Sequence, residues 1–203
     1  EGMRAYLSVA GGFKVAGQFG STATVSRESI GGLDGGPLTI GDVLACDQLS
    51  VIKQLALAEC YRPEYKQETV LRVVLGYQQN SFSEYQQWRF FNNEYSVSAR
   101  CDRMGFRLEG AEIGCDINGI LSEGICFGAI QIPADGQPIV LLNDRQTIGG
   151  YPKIGSVLSI DCAKLAQLPT GSKVRFEAID IYRAQNLIHL AHSQFQRTPM
   201  KDC

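Results

Sequence analysis

A mainly β fold, a closed antiparallel barrel with a few peripheral helices, is the architecture this 203-residue sequence predicts. Three observations point there. Short β-branched or alternating apolar runs recur between glycines and prolines. One such pair of runs is joined by Ala134-Asp135-Gly136, and Asp-Gly is a strong hairpin signal. Strands do not alternate with helices in βαβ order, and neither GxGxxG nor GxxxxGK[ST] occurs, which argues against a dinucleotide-binding or Walker-type fold.

Taken in chain order, "MRAYLSVAGGF" (3–13) reads as extended and ends at a glycine pair. Residues 20–42 are rich in glycine and hydroxyls and read as a long loop with short strands. "VLRVVLG" (70–76) is a buried strand closed by Gly76. "SFSEYQQWRFFNN" (81–93) is a helix capped by Ser81 or Ser83, with Phe82, Tyr85, Trp88 and Phe91 as its apolar stripe and Asn92-Asn93 as its end. "EYSVSA" and "RMGFRLEG" (103–110) are strands, the second alternating around Phe106 and Leu108. Residues 128–142 form the hairpin, with Pro133 and Pro138 at the strand ends. "GSVLSID" is a further strand, residues 161–171 a short helix capped by Asp161, "SKVRFEAI" a strand, and "YRAQNLIHLAHSQFQR" a last, outer helix. Residues 1–183 are thus expected to form the barrel domain and 184–203 a C-terminal helix and tail.

Bulk properties narrow the function classes. Hydrophobic residues make up 44% and charged residues 20%, ordinary for a globular domain. A net charge of −2 gives no electrostatic footprint for nucleic acid, and no apolar run reaches membrane-spanning length. The chain opens without Met and runs at once into strand-like sequence, as expected of a C-terminal fragment of a larger protein. Seven Cys, an odd number without CxxC spacing, read as buried free thiols in a reducing cytosol, so a cytoplasmic location is expected. His189 and His192 lie three apart on a helix with no third ligand nearby, so no metal site is expected.

Polar groups concentrate in residues 128–155. Gln131 and Gln137 flank the hairpin turn; Asp144, Arg145, Gln146 and Thr147 leave the next strand; Gly149-Gly150 allow a tight path before Lys153. Gathered at a barrel mouth, these amides would suit a lactam, urea or carboxylate, with Lys153 and an Arg holding an anion. The same residues also make ordinary turns, and composition leaves both readings open. Arg103 and Arg107 share a strand parity and could bind an anion, or face water among acids. "IGGLDGGPL" reads as a plain turn because no helix N-terminus follows it.

Three segments occur in a telling order: "MRAYLSVAGGF…GS…IGGLDGGPL…GD", "SARCDRMGFRLEG" and "SEGICFGAIQIPADGQPIVLLNDRQTIGGYPKIG". Together they closely resemble the family that comprises the C subunit of 5-oxoprolinase, allophanate hydrolase subunit 2 and the biotin-dependent carboxyltransferase domain; an antagonist of a sporulation-kinase inhibitor is similar too. The resemblance implies a cyclophilin-like barrel and a component of an ATP-dependent 5-oxoprolinase complex, which opens the lactam of 5-oxoproline to glutamate. Its implied partners are the companion B and A subunits of oxoprolinase. Alternatives it implies are a carboxyltransferase acting on urea or a related amide with biotin supplied from elsewhere, and a non-catalytic regulator binding a kinase inhibitor. Asp144 and Lys153 are among the positions that match the family motif, and we take them as the candidate catalytic residues. Arg103, Gln131, Gln137, Gln146, Thr147, Gly149 and Gly150 are the candidate substrate-binding residues. Ile148, where Thr is frequent, and the loop "STATVSRES" depart from the family pattern, which bears on substrate specificity more than on fold.

Overall fold

The computed structural model describes residues 2–48, 55–64, 68–117 and 119–202, and Cys203 lies outside them. In chain order the elements are β1 (Leu55–Leu57), β2 (Glu68–Leu75), α1 (Glu84–Asn92), β3 (Glu94–Cys101), β4 (Gly105–Glu109), β5 (Glu123–Gly124), β6 (Ala129–Gln131), β7 (Ile139–Leu141), β8 (Ile148–Gly149), β9 (Lys153–Val157), α2 (Ser159–Leu165), β10 (Lys173–Ala178), α3 (Ile181–Arg197) and β11 (Met200–Asp202). The chain divides into two compact units: Glu1–Arg4 with Glu59–Pro199, and Ala5–Ala58 with Met200–Cys203.

The larger unit contains a closed barrel with strand order β10-β2-β9-β6-β7-β4-β3. Alternation sets its wall. Leu71, Val73, Tyr95, Val97, Phe106, Leu108, Ile130, Val140, Val174 and Phe176 are buried in one cluster, while the residues between them face outward. The hairpin forms as its sequence predicts. Ile130 pairs with Val140 and Gln131 with Ile139, and the Gly136 N–H donates to the Pro133 carbonyl (2.9 Å) with Gly136 at φ +70.

Closure needs one parallel pair. β10 runs parallel to β2 from Lys173↔Glu68 to Ala178↔Val73, whereas β9 pairs with the other edge of β2 antiparallel. The chain must therefore cross β2 between β9 and β10, and α2 makes that crossing. Asp161 fastens it. Its carboxylate accepts from Arg72 Nε (2.6 Å), Arg72 Nη2 (2.7 Å), the Arg72 N–H (3.1 Å) and Lys164 Nζ (2.8 Å). The Asp161 side chain is fully buried, and that of Arg72 is 19% exposed.

Four expectations change here. Helix α2 starts at Ser159, two residues before Asp161, which therefore serves the Arg72 contact and not a cap. Along α1 the buried residue is Phe90, stacked on Phe176 at 4.3 Å between centroids; Tyr85 and Trp88 stack on each other while facing solvent. The α1 stripe is set by where β10 and β3 offer aromatic partners, so the bulkiest side chains are not the inward ones. Residues 3–13 form no named strand; only Phe13 bridges, to Cys46, and Gly11 and Gly12 sit at φ +79 and +76. Of the described cysteines, which are free, Cys162 alone is buried; Cys46, Cys60 and Cys126 are exposed.

The smaller unit holds the two-stranded β1–β11 ribbon and the glycine-rich loop. A Cβ at Gly31 would lie 2.2 Å from the Ala23 carbonyl oxygen, and one at Gly32 2.1 Å from Thr24 Oγ1. The loop is closed on its own chain, as a turn.

Burial pushes the Asp161 carboxyl up, but the hydrogen bonds from Arg72 and Lys164 outweigh it and hold the group below its ordinary pKa of 3.8. Its stabilising contribution is complete above the unfolded carboxylate range and is lost as pH falls through and below it. Asp161→Ala is expected to cost about 3–5 kcal/mol by leaving Arg72 against the helix without its acid. It should also flatten the acid limb of the stability profile. Urea unfolding from neutral pH to about pH 3 measures both, and a cost below ~1 kcal/mol would remove the clip from the fold's determinants.

Candidate functional site

Outward-facing positions of three neighbouring strands build the site. On β4, Gly105 and Arg107 face away from the core beside Phe106 and Leu108; on β7, Ile139 and Leu141 do so; on β6, Ala129 and Gln131 do so. Ile125, Ala129, Ile139 and Leu141 make a small second apolar layer outside the barrel. The segment 143–152 and the β5–β8 ribbon (Glu123↔Gly149) cover part of this wall. A cleft of ≈ 210 Å³ remains, with Met104, Gly105, Ile139 and Leu141 as its apolar lining and Arg100, Asp102, Arg107, Gln131, Gln146 and Tyr151 as its polar groups. The candidate site is thus on the outer wall, not at the barrel mouth.

Gln131 is its most constrained member. The β6–β9 register slips between Ile130↔Gly155 and Gln131↔Lys153, so one extra β9 residue is accommodated and the side chains there are re-aimed. Gln131 is 1% exposed, and its Nε2 has no hydrogen-bond partner. Gly149 lies against it: a Cβ there would stand 2.9 Å from Gln131 Nε2 and 2.6 Å from Ile125 Cδ1, so a larger residue would have to push both side-chain ends aside. Gln146 shares the cleft and that glycine.

The charged groups are mostly engaged by partners. Asp102 Oδ1 accepts from the Met104 (2.8 Å) and Gly105 (3.1 Å) N–H groups and shapes the turn into β4. Arg107 Nη1 donates to Asp135 (2.7 Å). Arg103 holds Asp144 in a two-point ion pair (2.6 and 3.0 Å). Those hydrogen bonds keep the Asp144 carboxyl below its ordinary range, against a smaller upward push from burial. Lys153, 8% exposed, pairs with Glu123, which also accepts from Gln78 Nε2 (2.8 Å); Gln78 Oε1 in turn accepts from the Lys153 N–H (2.8 Å). Lys153, Tyr77 and Gln78 together hold Glu123 below its usual carboxylate range, the Lys153 hydrogen bond contributing most.

The cleft therefore joins Gln131 and Gln146, with Gly149 packed on both. Arg103 and Asp144 adjoin lining residues as a surface pair, and Lys153 is the strand partner of Gln131. Gln137 bonds the Gly110 backbone in both directions (2.9 and 3.3 Å). Thr147 and Gly150 contribute carbonyls to the Ile125 (3.0 Å) and Ile120 (2.9 Å) N–H groups. Arg107, singled out from sequence beside Arg103, lines the cleft, and Arg100, Asp102 and Tyr151 join it beyond the residues singled out from sequence. Strand parity in "GFRLE" was the signal for Arg107; Glu123 had none, since its contact depends on a ribbon of two residues per strand.

A profile of the carboxyltransferase domain, subdomain A and B, matches residues 1–178. The chain is 35% identical over 188 residues to the C subunit of 5-oxoprolinase from Haemophilus influenzae, covering 92% of this chain and 59% of that one. It is 29% identical over 194 residues to a putative urea carboxylase of Emericella nidulans, covering 89% and 16%. The fold superposes on K. lactis urea amidolyase with a TM-score of 0.82 at 23% identity, covering 95% of this chain and 13% of that one. The chain thus spans about three-fifths of the length of the 5-oxoprolinase relative it matches.

An unpartnered buried amide is costly to the free protein, about 1–3 kcal/mol. Gln131→Met, of similar shape, is expected to leave thermal stability unchanged or raised while it impairs ligand binding. A fall of more than ~1 kcal/mol in chemical denaturation would show instead that the amide is satisfied in the free fold.

Proposed function

The chain belongs to the carboxyltransferase domain family, and on that premise we propose that it binds a small planar amide as one component of a multi-subunit enzyme that hydrolyses the lactam of 5-oxoproline to glutamate. The observation that carries this reading is Gln131, buried in the cleft with an unused Nε2 donor beside the second amide of Gln146. That nitrogen is itself buried against Gly149, so a ligand carbonyl oxygen would satisfy it once the ribbon gives way, and a carboxamide edge can exchange paired donor and acceptor bonds with a ligand amide. The relative named as a 5-oxoprolinase component supports the substrate.

Opening a lactam breaks one C–N bond and adds water across it, and ATP supplies the free energy in this reading. In this reading ATP is bound by the complex, and the cleft, at ≈ 210 Å³, is below the ~300–1,000 Å³ of most small-molecule sites and holds the amide alone. Within this chain, Gln131, Gln146 and the apolar lining would bind and orient the ring. Asp144 could take a proton from attacking water only after giving up the two bonds from Arg103. Lys153, freed from Glu123, could offset negative charge on the carbonyl oxygen.

The identity to a putative urea carboxylase favours a second reading, carboxyl transfer from biotin to urea. The same paired amides suit the ureido group of biotin, which would come from another part of that enzyme.

Reconstitution with both companions tests the assignment through 5-oxoproline-dependent ATP hydrolysis. Asp144→Asn and Lys153→Ala are each expected to lower turnover about 10²–10⁴-fold, the range for loss of a proton-transfer or charge-stabilising group. Unchanged turnover in both variants would sink the catalytic roles, and activity on urea alone would select the second reading.

A further inference from the structure

The cleft is more than an amide site, because the arginines around it are not equivalent. Arg103 is bound at two points by Asp144, and Arg107 is bound by Asp135. Arg100, at the end of β3, lines the same cleft as Gln131 and has no acid partner among the described residues. It is exposed, and the register of β3 against β4 shifts between Val97 and Cys101, which turns this stretch out of regular alternation. The remaining acid in the lining is Asp102, one of whose oxygens already accepts two turn N–H groups. An uncommitted guanidinium therefore shares a small cleft with a buried, unsatisfied amide. A guanidinium in that position is suited to a carboxylate, which it can bind through two parallel hydrogen bonds.

We propose that Arg100 is the specificity-determining residue that makes this cleft prefer a planar amide carrying a carboxylate over a neutral amide of the same shape. The inference rests on the amide-binding reading of the cleft given above. Gln131 reads the amide, which all such ligands share; Arg100 reads the charge, which separates 5-oxoproline from urea or an unsubstituted lactam. Arg107 does not substitute for it, because a ligand carboxylate would first have to displace Asp135.

Calorimetric titration of the full-length protein with 5-oxoproline and with 2-pyrrolidinone, the same lactam without its carboxylate, tests this. The wild type should bind 5-oxoproline more tightly. Arg100→Gln should weaken 5-oxoproline about tenfold to hundredfold, the loss of one charge-assisted interaction, and leave 2-pyrrolidinone unchanged. Arg100→Lys should recover part of the preference, because it restores charge without the planar fork. If Arg100→Gln keeps the wild-type preference, the role of Arg100 is overturned while the cleft reading stands. If Gln131→Met alters the binding of neither ligand, the ligand does not occupy the cleft and both readings fall.

Discussion

The crossing of β2 by α2 is the constraint on which the rest of the structure depends. A barrel built by antiparallel neighbours closes here only because β10 lies parallel to β2, and a parallel neighbour demands a crossover. The clip between Asp161 and Arg72 sits at that crossover and is fully desolvated on the acid side. A buried ion pair adds little over a well-packed apolar contact, yet it is costly to break on one side. Its value lies in direction. The carboxylate is matched to one guanidinium and one backbone N–H of the strand being crossed, so α2 is specified in position as well as held.

Closure has a consequence for the cleft. The interior is filled by Leu71, Phe106, Ile130, Phe176 and their neighbours, as in a small barrel packed with side chains. Polar groups that need burial must find it outside, beneath segments laid over the strands. The tract 143–152 and the β5–β8 ribbon supply that cover, and the slip in β6–β9 register turns Gln131 and Lys153 into it. The orphaned donor of Gln131 is thus located where regular pairing yields.

Much of this was legible in the sequence because it is local. The hairpin at Asp135-Gly136, strand β2 and the alternation of Phe106 with Leu108 follow from turn chemistry and period, and each is observed. Gln131 and Gln146 could be singled out together because they bracket one hairpin arm and the loop after it. What failed depends on partners distant in sequence. Tyr85 and Trp88 have helical spacing and bulk, but the aromatic cluster of β10 and β3 lies beneath Phe90 instead. Asp161 has the chemistry of a cap, but Arg72, 89 residues earlier, claims its oxygens. Gln137 has a free-looking amide in the sequence and is used to fasten the Gly110 backbone. The cleft lies on the outer wall, a face that strand parity assigns only once the inside of the sheet is known.

The charge arrangement follows the same logic and bears on which chemistry the cleft can perform. Arg103, Arg107 and Lys153 each meet an acid, so bringing any of them to a ligand means exchanging one ion pair for another. Such an exchange can be nearly neutral in free energy, and it happens when a ligand competes with the resident acid. The pairs at Asp144 and Asp135 are partly exposed and therefore weakly held; Lys153 is buried and tied into the Gln78–Glu123 network, so its release requires movement of the β5–β8 ribbon. Arg100 is exposed and meets no acid among the described residues, whereas Gln131 Nε2 lies buried against Gly149. The Arg103–Asp144 pair is at the surface and the Lys153–Glu123 pair is mostly buried, so a competing ligand reaches the first without moving the ribbon and the second only by moving it.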